Sequence, residues 1–292
     1  MDDTAPTTRT WLQRLTGRGK TVIPVVRLHG VISADQRQGR LNIANVGPLL
    51  KRAFAVKSAP AIAIIVNSPG GSPVQSRLIS KRIRDLANEH NKPVLVFVED
   101  AAASGGYFIA VAGDEIIVDP SSIIGSIGVI MAGFGFVGAL EKLGIERRVH
   151  TAGNNKSTLD PFMPEKPADV KRIKQFELDI HQVFIDHVKA GRAGKLKGED
   201  KDLFTGEWWT GQRGVDLGLA DAIGDLHETL RTRYLIESGG KRLRYGKKVQ
   251  IKMIEPKRGL FSLPRFGFSA AGVTADIAAT VEDRAVWARL GL

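Results

Sequence analysis

The 292-residue chain contains no cysteine, which excludes disulfide bonds, a thiol nucleophile and a cysteine-ligated metal, and fits a reducing compartment. Histidine is also scarce, and its spacing forms neither a metal-binding motif nor a recognisable acid-histidine-serine pattern. The six histidines are His29, His90, His150, His181, His187 and His227. We therefore expect no metal, no cofactor and no redox chemistry.

Long membrane-spanning runs are missing as well. The first 20 residues contain no apolar block, so we expect neither a signal peptide nor an N-terminal anchor. Pro120 to Leu140 lacks charge for 21 positions, about the length of a membrane span, but nine of these are glycine, serine or proline. That composition favours buried loops and short strands. The expected location is cytoplasmic or peripheral at a membrane face.

The charge of the chain is uneven. The net charge is +11, and Arg231 to Arg265 holds eleven Lys/Arg against two glutamates. Without interleaved aromatic residues this stretch predicts a solvated tail first and a contact with anionic lipid second, and no nucleic-acid partner. We divide the chain into a flexible segment (1–20), a main domain (21–234) and a basic extension (235–292) that ends in a short amphipathic helix.

Short runs rich in valine and isoleucine, bounded by turn residues, predict buried strands of a mostly parallel sheet. The runs are Val22–Leu28, Ala61–Val66, Val94–Val98 and Glu115–Val118. Between them, Ser72-Pro73 starts a helix that ends at Asn91, and Pro167 opens a longer helix that Gly191 closes. The fold class is therefore α/β with helices flanking the sheet.

Two strands lead into glycine-rich turns. Asn67 to Gly71 follows the second strand, and Ala102 to Tyr107, which contains Ser104, follows the third. Because each turn opens a helix, free backbone N–H groups are expected there, and an oxyanion requires such donors. Gly71, assisted by Gly70, and Gly105 are the candidate donors. The alternative is that both turns are tight connections without chemistry.

Lys156 is the candidate base for Ser104. A serine hydroxyl needs a nearby group that accepts its proton, and lysine can do so only when burial keeps the amine neutral. The nearest acid in sequence is Asp160, so the local sequence permits this tuning. In isolation, an exposed loop lysine is the simpler interpretation.

Five short motifs follow one another along the chain. They are Asn67 to Gly71, Ala103 to Tyr107, Gly125 to Val129, Gly153 to Ser157 with Pro161-Phe162, and Gly218 to Asp221. Their order and approximate spacing resemble the S49 peptidase family of the signal peptide peptidase A type, from about Val22 to Thr232. The resemblance implies a Clp-protease or crotonase-like fold built of ββα units.

The resemblance also implies roles for individual residues. Ser104 would be the nucleophile of a serine peptidase, Lys156 its general base, and Gly70, Gly71 and Gly105 its oxyanion hole. Ser126, Ile127, Gly128 and Ser157 would lie along the substrate cleft. Apolar cleft walls are expected from Ala102, Ala103, Ile127 and Val129, and they predict a preference for small or apolar side chains.

The family forms rings or domes in which one site can draw its serine and lysine from adjacent subunits, so we expect a homo-oligomer acting on peptides. Signal-peptide remnants or other membrane-associated peptides are the implied substrates. Many members carry an N-terminal anchor, which we do not expect here, and the basic tail would supply peripheral membrane contact.

Two other functions remain open at this point. A crotonase-like acyl-CoA enzyme shares the fold and the paired amides but needs neither Ser104 nor Lys156. A catalytically silent oligomeric scaffold would use only the basic tail. The combination of a serine, a lysine and two glycine turns favours the peptidase.

Overall fold

The computed structural model describes residues 21–35, 37, 39–235, 249–256, 280–281 and 283–292. The strands are β1 (Val22–His29), β2 (Ile62–Ser68), β3 (Val94–Ala103), β4 (Glu115–Val118), β5 (Ile123–Gly125), β6 (Trp208–Thr210), β7 (Ala222–Ile223) and β8 (Gln250–Met253). The helices are α1 (Ile43–Phe54), α2 (Pro73–His90), α3 (Gly105–Ala110), α4 (Val137–Lys142), α5 (Pro167–Gly191), α6 (Asp200–Leu203), α7 (Gly211–Asp216) and α8 (Leu226–Leu235). Residues 283–288 are also helical.

The strands form one sheet in the order β6-β5-β3-β2-β1-β8, with β4 beside β3 and β7 beside β4. All pairings are parallel except that of β5 with β6, which confirms the predicted mostly parallel α/β sheet. Strand β3 is long enough to change neighbours. Its first part pairs with β4 through Leu95–Val98, and its last three residues pair with β5. The sheet therefore forks at the end of β3 that leads to Ser104.

A β-bulge marks this fork. The β2–β3 register passes from Val66↔Val98 to Ser68↔Ala102, so β3 carries two extra residues there. Asn67 stabilises the irregularity, because its amide nitrogen donates to Asp100 Oδ2 at 2.5 Å and its amide oxygen accepts from the Ala101 N–H. Bulges re-aim the backbone that follows them. Here the bulge directs the ends of β2 and β3, and thus the two glycine turns, toward each other.

Helix α2 shows why the predicted bounds hold. Ser72 is its N-cap and accepts from the Gln75 N–H, Pro73 occupies the first turn, and Asn91 ends the helix in the left-handed region at φ 48°. The long helix α5 likewise begins at Pro167 and ends at Gly191, as predicted.

The two faces of the sheet bury different residues because strand side chains alternate. Val26 and Leu28 of β1 join the large core under α1, α2 and α3, together with the end of α5. Ile23 and Val25 face the other way and pack with Leu230 of α8. Helix α8 thus covers one face of the sheet, and the helices that follow the glycine turns cover the other.

One long stretch takes no part in this core. No residue from 128 to 168 is buried, although the stretch contains α4 and many apolar side chains. The expectation that Pro120 to Leu140 forms buried loops and short strands is therefore correct for β5 and wrong beyond residue 128. Several large apolar side chains there stay exposed, among them Phe134 and Leu143.

Much of the basic stretch and of the terminal amphipathic segment, including residues 236–248 and 257–279, lies outside the described residues. Within the described part, β8 pairs with β1, so the predicted extension contributes an edge strand to the sheet. The division at residue 234 stays a prediction. Among the described helices, none is long and apolar enough to cross a membrane.

Candidate active site

Ser104 lies between the end of β3 and the start of α3, in a backbone conformation that side-chain-bearing residues rarely adopt. Its φ is 49° and its ψ is −120°. The Ser104 N–H donates to the Gly125 carbonyl at 2.8 Å, and its carbonyl accepts from the Phe108 N–H at 2.9 Å. The hydroxyl has no hydrogen-bond partner among the described residues. Such strain costs about 1–3 kcal/mol and persists where the surrounding contacts enforce it, often at functional sites.

Gly71 presents a free amide because of its pairing with Ile32. The Ile32 N–H donates to the Gly70 carbonyl, and the Ser72 N–H donates to the Ile32 carbonyl, both at 2.8 Å. These bonds flank Gly71 and leave its own N–H pointing away from Ile32. Gly71 has φ 137°, and a Cβ there would lie 2.0 Å from the Ile32 carbonyl oxygen. Only glycine fits this position without moving the backbone.

Gly105 supplies a second free amide directly beside the first. It is the first residue of α3, so its N–H has no acceptor within the helix. A Cβ at Gly105 would lie 3.4 Å from the Gly71 nitrogen, which shows how closely the two turns approach. The same Cβ would lie 2.3 Å from the Ser76 hydroxyl. Two N–H groups without an acceptor among the described residues therefore lie close together on the turns that meet at Ser104.

The Gly70 amide is already paired, although Gly70 was predicted to assist the oxyanion hole. Its N–H donates to the Ser68 hydroxyl at 3.2 Å, and that hydroxyl in turn donates to the Gly30 carbonyl. A Cβ at Gly70 would lie 2.8 Å from Ser104 Cβ and 2.9 Å from the Gly105 nitrogen. Gly70 thus allows the two turns to pack together, and the free amides belong to Gly71 and Gly105.

His187 of α5 packs against Phe108 of α3. Its ring stacks on Phe108 with 3.9 Å between centroids and an interplanar angle of 8°. Its Nε2 lies 2.8 Å from the Phe108 carbonyl oxygen and 3.3 Å from the Ser80 hydroxyl. Since a carbonyl only accepts, Nε2 carries the proton. Burial lowers the pKa of His187, although the bond to Phe108 opposes that shift, so the ring is neutral at pH 7.

Ser104 lies between two clefts. The first, called here the apolar cleft, has a volume of about 420 Å³ and runs between the start of α2 and the middle of α5. Its apolar lining includes Val74, Phe108, Val129, Ile130, Met131, Phe176, Ile180, Val183 and Phe184. Its two charged residues, Arg77 and Glu177, have opposite signs. Such a cleft suits an apolar side chain next to the serine.

The second, called here the wide cleft, has a volume of about 650 Å³. It is lined by Pro69, Gly71, Ser72, Pro73, Ser104, Ser126, Gly128, Val129, Ile130, His181, Thr205, Gly206, Trp208, Val286, Arg289 and Leu290. Both volumes fall in the range typical of ligand sites. The wide cleft is the more polar of the two and shares Ser104 with the apolar cleft.

The structure brings some predicted cleft residues to the serine and buries others. Ser126 and Gly128 line the wide cleft, and Ser126 has a positive φ of 53°. Ile127 is fully buried, its carbonyl oxygen lies 3.0 Å from His181 Nε2, and it lines neither cleft in this structure. Ala102 and Ala103 are also fully buried, because alternating residues of β3 face the two sides of the sheet.

Lys156 and Ser157 line neither cleft. Lys156 is exposed, and among the described residues no carboxylate pairs with it. The nearest acid in sequence, Asp160, pairs with Arg147 instead. Hydrogen bonds from the Arg147 guanidinium and from the Phe162 N–H hold the pKa of Asp160 below its usual value. The loop that carries Lys156 is thus anchored by Asp160, and the lysine is left unpaired.

Around Lys156 the chain exposes large apolar side chains. They include Ile130, Met131, Phe134, Phe136, Leu143, Ile145, Val149 and Phe162. Phe134 is 81% exposed and Leu143 is 71% exposed. Exposed apolar patches of this kind mark interaction surfaces in soluble proteins. We call residues 130–163 the exposed segment.

The residues that sequence reasoning missed are Ile32, Ser68, Ser76 and His187. Each lies against a distant part of the chain, for which the sequence offers no local signal. In the described part of the chain, no group of three or more histidine or carboxylate side chains could hold a metal ion.

Comparison with known proteins gives a family match. The model of "Peptidase family S49" matches residues 87–234. "Protease 4" of Haemophilus influenzae is 34% identical over 217 residues, which are 71% of this chain and 34% of that protein. "Serine protease SPPA, chloroplastic" of Arabidopsis thaliana is 30% identical over 228 residues, which are 75% of this chain and 33% of that protein.

A Brucella abortus protein named "Na(+)/H(+) antiporter NhaA" is 54% identical over 286 residues, which are 94% of this chain and 37% of that protein. The chain therefore spans about a third of the length of these relatives, and the antiporter name describes a protein most of which lies outside the match. A solved structure titled "1510-N membrane-bound stomatin-specific protease" aligns with 82% of this chain and 99% of its own at 17% identity and a TM-score of 0.48.

Proposed function

Because the chain belongs to peptidase family S49, we propose that it is a serine endopeptidase in which Ser104 is the nucleophile and Lys156 the general base. The observation that carries this proposal is the geometry at Ser104, which lies on strained backbone beside the amides of Gly71 and Gly105. Within the described part of the chain, neither these amides nor the Ser104 hydroxyl has a hydrogen-bond partner. Two such donors stabilise the negative charge that develops when a hydroxyl adds to a carbonyl.

The reaction proceeds in two halves. Ser104 Oγ adds to the peptide carbonyl carbon while its proton passes to the Lys156 amine, and the oxyanion accepts hydrogen bonds from Gly71 and Gly105. Lys156 then gives that proton to the departing amine as the peptide C–N bond breaks. Water attacks the resulting ester with Lys156 as base, which releases the acid and restores Ser104.

Lys156 comes, in this proposal, from a neighbouring copy of the chain. Within one chain it is exposed and lines neither cleft beside Ser104. An exposed lysine is a poor base because water stabilises its charged form. The exposed segment carries the apolar area that an interface between copies requires, and burial against a second copy would dehydrate the amine.

The substrate in this proposal is an extended peptide with an apolar side chain in the apolar cleft. Val74, Phe108 and Phe184 support this, since they offer apolar contact area next to Ser104. Remnants of signal peptides and other membrane-derived peptides have such side chains. The peptide would run beside residues 69–71, where backbone groups lie along the cleft.

A fluorophosphonate probe followed by intact-mass measurement tests the proposal. We expect one adduct per chain, and we expect Ser104→Ala to abolish both the adduct and peptide hydrolysis, with a fall in kcat of roughly 10³-fold or more. Turnover of an acyl-CoA thioester without Ser104 would favour the crotonase-like alternative. Full peptide hydrolysis by Ser104→Ala would show that Ser104 is not the nucleophile.

A further inference from the structure

The stretch 283–292 forms one wall of the wide cleft, a position that no local sequence signal predicts. Leu290 is only 9% exposed and packs against Ala101 and Ala103 of β3, directly before Ser104. Three residues of this stretch, Val286, Arg289 and Leu290, line the wide cleft together with Ser104. The wall is therefore attached to the same strand that carries the nucleophile.

Two further contacts fix the orientation of this wall. Trp287 stacks on His29 at the end of β1, with ring centroids 6.1 Å apart. Asp283 pairs with Arg40, whose side chain is 8% exposed. Because Asp283, Trp287 and Leu290 all contact the sheet or its loops, the side chains between them project in defined directions. Arg289 projects into the wide cleft.

The charge of Arg289 distinguishes it from the rest of that cleft. Of the described residues that line the wide cleft, it is the one that is an arginine, lysine, aspartate or glutamate. Among the described residues no carboxylate or carbonyl binds its guanidinium. The apolar cleft differs, since it holds one arginine and one glutamate. The wide cleft thus offers a single arginine that no described carboxylate pairs with.

We propose that Arg289 binds a carboxylate of the substrate and makes the wide cleft selective for peptides that carry one. The inference rests on the proposed peptidase function of the same site. A guanidinium matches a carboxylate with two parallel hydrogen bonds, and the anions that a peptide offers are its aspartate and glutamate side chains and its C-terminus. Since Arg289 is not at the reacting bond, it holds the substrate and its transition state equally, which lowers KM and leaves kcat unchanged.

Matched peptides test this assignment and distinguish the two sources of carboxylate. One series places aspartate or asparagine at successive positions around the cleavage site, and a second compares a free C-terminus with its amide. Hydrolysis is measured for the unmodified chain, Arg289→Gln, Arg289→Glu and the control Arg284→Gln. Arg284 is an exposed arginine of the helix at residues 283–288, which directly precedes Arg289, and it does not line the cleft.

We expect the unmodified chain to prefer the carboxylate peptide of at least one pair by about tenfold in kcat/KM, with the difference in KM. Arg289→Gln should abolish that preference, Arg289→Glu should reverse it, and Arg284→Gln should keep it. A preference at one aspartate position identifies an acidic side chain, and one limited to the free C-terminus identifies the peptide end. An unchanged preference in Arg289→Gln, or an equal loss in both glutamine variants, would overturn the assignment.

Binding to the Ser104→Ala chain separates this inference from the peptidase proposal. Fluorescence anisotropy of labelled, uncleaved peptides should show the same carboxylate preference, and Arg289→Gln in that background should remove it. Preference in binding without hydrolysis by the unmodified chain would retain Arg289 as a carboxylate site and reject the peptidase. Absence of discrimination in both assays would reject the role of Arg289 whatever the chain hydrolyses.

Discussion

The Ser104 turn and the Lys156 loop belong to the same proposed site, yet one chain holds them very differently. A Cβ added to Gly70, Gly71, Gly105 or Gly106 would meet another atom at 2.8, 2.0, 2.3 and 2.5 Å. A Cβ added to Gly133, Gly135, Gly138, Gly144 or Gly153 would meet nothing within 4 Å. Ser104 and the proposed oxyanion donors are thus positioned by packing within one chain. The loop that carries Lys156, the proposed base, leaves large apolar side chains such as Phe134 and Leu143 exposed.

This difference explains how one chain can carry Ser104 and Lys156 and yet, in our proposal, not bring them together within a single copy. The serine side needs sub-ångström placement, which a close-packed core provides. The lysine side needs a dry environment, which an exposed loop acquires only when another surface covers it. The contrast predicts that substitutions in the Ser104 turn lower kcat within each chain, whereas substitutions in the exposed segment weaken the assembly of copies.

The largest effect is expected for Gly71→Ala. The new Cβ would lie 2.0 Å from the Ile32 carbonyl oxygen at a φ of 137°, so the turn must move and the Gly71 N–H must leave the oxyanion position. Loss of one oxyanion donor lowers kcat by roughly 10²–10³-fold. Gly47→Ala is the control, because its nearest neighbour would be Ile43 Cδ1 at 3.8 Å, and it should stay within about twofold. Equal activity of both variants would show that the Gly71 turn is not under this constraint.

Gly105→Ala should lower kcat, and Ser76→Ala should relieve part of that loss. Its Cβ would lie 2.3 Å from the Ser76 hydroxyl, while the next neighbours, Ile32 Cδ1 and the Gly71 nitrogen, are at 3.2 and 3.4 Å. We expect Gly105→Ala to lower kcat by roughly 10²-fold and Ser76→Ala to restore about tenfold of that loss in the double variant. Steady-state kinetics of the two single variants and the double variant measure the coupling. Additive losses would contradict a direct clash.

Substitution in the exposed segment should change assembly and leave the stability of one chain intact. Phe134 is 81% exposed, so Phe134→Gln removes little buried area within the chain. If a second copy covers Phe134, the assembly of the variant should be weaker, so that it dissociates already at protein concentrations at which the unmodified assembly is intact. At such a concentration the activity of the variant should be about tenfold lower than that of the unmodified chain. Analytical ultracentrifugation and thermal unfolding measure the two effects. Met253→Gln, at an exposed apolar position on β8, should change neither. An unchanged assembly in Phe134→Gln would argue against this surface.

The smallest effect is expected for the pH dependence of stability that arises from His187, which packs against α3. Burial holds the pKa of His187 below its ordinary value of 6.5, so the unfolded chain binds this proton first as the pH falls. The stabilising contribution is complete above pH 6.5 and is lost as the pH falls from there toward the folded pKa. The unfolding temperature of His187→Gln should therefore decrease less between about pH 7 and pH 5 than that of the control variant His90→Gln. Parallel curves for the two variants would contradict this role of His187.

The sequence predicted local features well. The periodicity and end signals of β1, β4, α2 and α5 are properties of short segments, and their bounds agree with the structure to within a residue. The turns around Gly71 and Ser104 were also predicted, because glycine-rich connections between strand and helix have a local signature.

Other features depend on contacts that no short segment encodes. Ile127 and Ala103 are apolar residues of the predicted site, and only the sheet decides that they face the core. The Ser76 hydroxyl beneath Gly105, the pairing of Ile32 beside Gly71 and the wall at residues 283–292 join distant parts of the chain. The surroundings of Lys156 depend, in our proposal, on a second chain, and one sequence cannot describe those.

Complementation between two inactive variants tests the central claim most directly. Ser104→Ala and Lys156→Ala chains are purified separately, dissociated, mixed in equal amounts, reassembled and assayed for peptide hydrolysis. If each site takes its serine and its lysine from different copies, random mixing should restore about a quarter of the activity of the unmodified assembly. A mixture no more active than either variant alone would contradict a site shared between chains.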